Sequence, residues 1–119
     1  MRRTQVLLSG CMSSSRDGRL LFARIAAISG RHARWRPLTE AEEADAIAEL
    51  AEAAAGRADL LAECAGLALG CHEDGIDAPK FERAAGLCVK AGADATAIPR
   101  WIEEGRRRAA AARAIPYTG

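Results

Sequence analysis

Residues 57–72 carry apolar side chains around most of a helical circumference, and that one segment limits what the chain can become. Leu60, Leu61, Cys64, Ala65, Leu67, Ala68, Leu69 and Cys71 leave no wide polar face. A helix from Arg57 or Ala58 to His72 is therefore expected at the centre of a bundle, wrapped by other elements. Gly66 and Gly70 form a Gly-x-x-x-Gly step on this helix, which lets a second backbone approach closely. Glu63 interrupts the segment, and no apolar run in the chain exceeds four residues. Spanning a bilayer takes about 18. The step is expected to serve tight packing in a soluble core, with no membrane as partner.

The flanking segments supply helices to wrap it. Leu21, Phe22, Ile25 and Ile28 recur at helical spacing between Asp17, an expected N-cap, and Gly30. Thr39-Glu40-Ala41-Glu42 reads as a capping box, opening a helix that runs to Ala55 and stops at Gly56. Its apolar face is expected from Ala44, Ile47, Ala48, Ala51 and Ala54. Glu73-Asp74-Gly75-Ile76 is a turn. Asp77 and Pro79 then start a fourth helix with Phe81, Ala84, Ala85, Cys88 and Ala91 on its buried stripe, ending at Gly92. Ile98, Trp101, Ile102, Gly105, Ala109 and Ala112 mark a fifth, closed by Pro116. Glu103 with Arg107, and Glu104 with Arg108, have the spacing of ion pairs on one helix. No alternating strand pattern exceeds Gln5 to Leu8. The expected fold is all-α, a small orthogonal bundle of four to five helices. Residues 1–16 are expected to be a disordered extension, 17–115 one helical domain, and 116–119 a loose tail. The chain has 28 alanines among 119 residues and only 4% aromatics, so its core is thin for its length.

The formal net charge of +1 conceals three blocks. Residues 1–37 carry eight arginines against Asp17, 38–77 eleven acids against Arg57, and 78–119 eight bases against four acids. Such asymmetry marks a partner surface or complementary parts of one fold. Glu40, Glu42, Glu43 and Asp45 also have a local reason, since a helix N-terminus favours negative charge.

The four cysteines do not form a recognisable site. Cys64 and Cys71 lie seven residues apart on one helix, a rise of about 10.5 Å, and a disulfide needs Cα atoms within about 7 Å. No Cys-x-x-Cys occurs, and Cys71 and His72 point about 100° apart. Whether Cys71, His72 and Cys88 converge depends on the fold. Cys64, Cys71 and Cys88 are expected to be small buried thiols of a reducing cytoplasm. His72 is expected to cap a helix C-terminus as a cation. The segment from His72 to Asp77 fails as a calcium loop. With Gly75 as the turn glycine, positions 1 and 12 become Gly70 and Phe81, which supply no side-chain ligand. No phosphate loop, nucleophile elbow or zinc-protease motif is present. No catalytic residue, metal or cofactor is expected.

Near the N-terminus, Leu8-Ser9-Gly10-Cys11 matches a lipoprotein cleavage box, but only Val6, Leu7 and Leu8 precede it as an apolar stretch. Met12 is an alternative start to Met1. Arg31, His32, Arg34, Trp35 and Arg36 form a basic linker with one stacking ring, and Arg106, Arg107 and Arg113 a second basic surface. These eight residues are the candidate interaction surface.

At Arg34-Trp35-Arg36-Pro37-Leu38-Thr39-Glu40 and from Ile98 to Arg108, the chain resembles small alanine- and arginine-rich helical proteins of high-GC actinobacteria. The resemblance covers about residues 13–119; it implies no activity and carries over no functional residue. The sequence reads as a cytoplasmic, non-catalytic protein-interaction module that self-associates as a homodimer through its first or last helix. A nucleic-acid accessory role through Arg31–Arg36 is the alternative.

Overall fold

A computed structural model describes residues 16–31 and 38–114. The expected extension, the linker positions His32, Arg34, Trp35 and Arg36, and the expected tail lie outside the described residues, apart from Arg16. The described residues form five helices: α1 (Arg16–Arg31), α2 (Glu40–Ala54), α3 (Ala58–His72), α4 (Ala78–Lys90) and α5 (Ile98–Ala114). They contain no strand, and the all-α bundle stands as expected.

Helix α3 is the axis of the structure. It packs against each of the other four helices, whereas α5 packs on α3 alone among them. Leu61, Ala62, Cys64, Ala65, Leu67 and Ala68 of α3 are at most 2% exposed. Leu21, Phe22, Ile25 and Ile28 of α1 close over it on one side, with Leu50 of α2 and Leu87 and Cys88 of α4. Burying side chains of the size of leucine and phenylalanine stabilises by about 1.5–3 kcal/mol each. These few residues therefore hold a bundle whose remaining contacts are mostly methyl groups.

The crossing of α3 with α5 is made backbone to backbone. A Cβ on Gly66 would collide with the Cβ of Trp101 and lie 2.9 Å from the carbonyl oxygen of Ile98. One on Gly70 would lie 2.8 Å from the amide nitrogen of Arg106 and 3.0 Å from the Cα of Gly105. One on Gly105 would lie 2.7 Å from the carbonyl oxygen of Leu67. Three glycines thus share one contact, and the Gly66–Gly70 step does pack helices inside a water-facing bundle.

Local chemistry sets both ends of α2, whereas Asp77, expected to cap α4, makes no side-chain cap bond. Thr39 accepts from the Glu42 amide at 3.2 Å and donates its own amide to Glu42 Oε1 at 2.9 Å. Ala55 then turns left-handed at φ 50°, followed by Gly56 at φ 80°. Asp94 receives both the amide and the hydroxyl of Thr96. Its own amide donates to the carbonyl of Ala58, fastening the α4–α5 turn to the start of α3.

Two expectations are corrected. Asp17 lies in the first turn of α1, which starts one residue earlier. The buried stripe of α2 is Ala46, Leu50 and Ala54, while Ala44, Ala48 and Ala51 are exposed. Alanines occur all round this helix and carry little positional information. The one leucine decides which face turns inward.

Gly86 behaves unlike the three crossing glycines. It lies inside α4, is exposed, and has open space where its Cβ would stand. Gly70→Ala should therefore destabilise the fold by about 3 kcal/mol, because two backbones must part. Gly86→Ala, at submicromolar concentration, should stabilise it by about 0.5–1 kcal/mol, the helix-interior cost of glycine. Urea unfolding of both variants checks the opposite signs.

Candidate functional site

The second basic surface is neutralised where it was expected to bind. On α5, Arg106 Nε lies 2.7 Å from Glu73 Oε2, and its Nη1 lies 2.5 Å from Glu103 Oε1. Arg107 and Arg108 both reach Glu104, at 2.5 and 2.7 Å. The hydrogen bonds from Arg107 and then Arg108 hold the Glu104 carboxyl below its usual range. The expected Glu104–Arg108 pair forms, but Arg107 also takes Glu104 and leaves Glu103 to Arg106. Residues three apart face each other as well as residues four apart. Arg113 is exposed at the far end of the helix. The Arg31 backbone closes α1, and the remaining linker candidates lie outside the described residues. The structure therefore does not bring the eight candidates together as one described surface.

Opposite charges do meet across elements. Lys90 of α4 pairs with Glu43 of α2. Arg24 of α1 comes to 3.9 Å from Glu49 of α2. Part of the basic and acidic excess is thus matched inside the bundle. Exposed pairs of this kind contribute about 0–1 kcal/mol each.

The cysteines are held by packing. Cys64 donates its thiol to the carbonyl of Gly18 at 3.3 Å, fixing α1 against α3. Burial pushes the Cys64 and Cys88 thiols up to about 12. Cys71 corrects the expectation of three free thiols. It is disulfide-bonded, and its Sγ lies 3.3 Å from the carbonyl oxygen of Gly105. Among the described residues, no three His, Cys, Asp or Glu side chains gather as a metal ion would require. Thiolates are the nucleophilic form, so Cys64 and Cys88 should resist iodoacetamide at pH 8 in the folded chain. Both should react once it is unfolded, as peptide mass spectrometry will show.

His72 is also corrected. Its ring stacks on Phe81 with centroids 4.1 Å apart and planes 6° from parallel. Its Nε2 is buried without a hydrogen-bond partner among the described residues. Burial lowers its pKa from the ordinary 6.5, and the carboxylate of Asp77 offsets this only in part. Neutral His72 is therefore the folded form, rather than the capping cation expected at a helix C-terminus. The folded chain binds protons at His72 less readily than the unfolded chain. The resulting stability is present above about pH 6.5 and is lost as pH falls through the lower folded value. Denaturant unfolding should show a smaller loss between pH 7.5 and pH 5 in His72→Gln than in the native sequence.

The open face of α4 was not among the expected sites. Beside Gly86 runs a shallow groove of about 250 Å³, lined by Leu38, Glu43, Arg83, Gly86, Leu87 and Lys90. Val89, 44% exposed, stands on the other flank of Gly86. The available signal was a glycine in the middle of an otherwise good helix with no turn to make. No helix of the described residues is long and apolar enough to cross a membrane. In comparisons with known proteins, the chain matches no family model, no curated protein and no solved structure.

Proposed function

We propose that the chain is a non-catalytic, self-associating protein-interaction module. The observation that carries this reading is Gly86. Each of the three glycines of the α3–α5 crossing sits under a second helix backbone, and Gly86 has the same freedom of approach with nothing above it among the described residues. Self-association was expected through the first or last helix. Yet Leu21, Phe22, Ile25 and Ile28 of α1 are buried inside the bundle, and Gly105 and Ala109 of α5 are buried on α3. Helix α1 still exposes Leu20 (60%) and α4 exposes Val89 (44%); α4 is the better basis for contact because its exposed face also carries Gly86, uncovered by the described residues. The Arg106 and Arg107 guanidiniums already hold carboxylates and add little to a nucleic-acid surface; the alternative through Arg31–Arg36 lies mostly outside the described residues. A cytoplasmic setting is proposed on the free thiols of Cys64 and Cys88, with the disulfide at Cys71 as the observation against it.

Sedimentation equilibrium tests the reading. The apparent mass should rise with concentration from the 12.6 kDa of one chain toward twice that value. A constant single-chain mass through the micromolar range would reject it.

A further inference from the structure

We infer that the surface of self-association is the outer face of α4, and that two copies meet there antiparallel about a twofold axis at Gly86. The inference rests on the self-association reading above and names its interface. At 100° per residue, Pro79, Glu82, Gly86 and Lys90 project within about 40° of one direction, with Val89 on the flank. Glu82, Gly86, Val89 and Lys90 are all exposed. None of the other described helices covers Gly86.

The charges on this face are self-complementary about the glycine. Glu82 and Lys90 stand four residues to either side of Gly86. A twofold axis at Gly86 sets Glu82 of one copy level with Lys90 of the other, and repeats the pair by symmetry. This is the requirement of a closed, isologous contact, in which residue i meets j and j meets i. A parallel arrangement would instead set like charges level with each other. Lys90 already pairs with Glu43 of its own chain, so in the dimer it stands between two carboxylates. Glu82 forms no ion pair among the described residues, and the contact supplies one. A glycine at the axis lets the helices close to backbone distance, as in the α3–α5 crossing. Any larger side chain there would hold them apart.

Charge reversal and mixing test this. The native chain should dimerise in sedimentation equilibrium. Glu82→Lys and Lys90→Glu should each weaken the dimer at least tenfold, since each sets two like-charged pairs across the axis. An equimolar mixture of the two variants should restore it. In the mixed dimer the two substituted side chains face each other with opposite charge, and so do the two native ones. Gly86→Leu should abolish it while circular dichroism shows the helical content unchanged. A native dimer that both reversals and Gly86→Leu leave intact overturns this interface and leaves self-association standing. Reversal variants that stay monomeric on mixing also overturn it. A native chain that is monomeric throughout overturns both readings.

Discussion

The contact between α3 and α5 is the constraint on which the rest of the bundle depends. Helix α3 is apolar around most of its circumference and must be covered, and α5 has no other helical neighbour among the described residues. With Gly66, Gly70 and Gly105 at the contact, the two backbones touch directly, and the Cβ of Trp101 occupies the space a side chain on Gly66 would need. Close approach replaces the large interlocking side chains that an alanine-rich chain lacks. It also makes the contact intolerant, because backbone cannot rotate out of the way as a side chain can. Sulfur sits at the same junction, where Cys71 touches the carbonyl of Gly105.

Around that axis, polar groups work over short range. Among the described residues, opposite charges meet in pairs within and between helices. Acids at the start of α2 cap it and complement its dipole. Glu103 and Glu104 gather Arg106, Arg107 and Arg108, and Glu73 joins from the end of α3. A charge block seen along the chain therefore says little about the field a partner would meet. Three arginines in a row resemble a phosphate-binding patch only until their carboxylates are found.

His72 and the cysteines show the same dependence on surroundings. A histidine in the last turn of a helix would gain from being cationic. The stack on Phe81 and the burial of Nε2 reverse that preference. Cys64 and Cys88, with their pKa pushed to about 12, act as small core residues rather than nucleophiles.

Helix number, the capping box at Thr39, the central place of residues 58–72 and the closeness implied by Gly66 and Gly70 were legible in the sequence. Each follows from periodicity, backbone chemistry or the lack of a polar face, and all of these are local. The inward face of α2 was not legible, since alanines on every side leave the choice to Leu50 and its neighbours in space. Nor was the state of His72 or the partner of each arginine. These depend on side chains distant in the chain, as when Glu73 takes Arg106. Gly86 makes the division plain. The sequence alone determined that a glycine interrupts a helix there. Only the tertiary structure decided that no described helix packs over it, because the space above a helix is set by the other helices and not by its own residues.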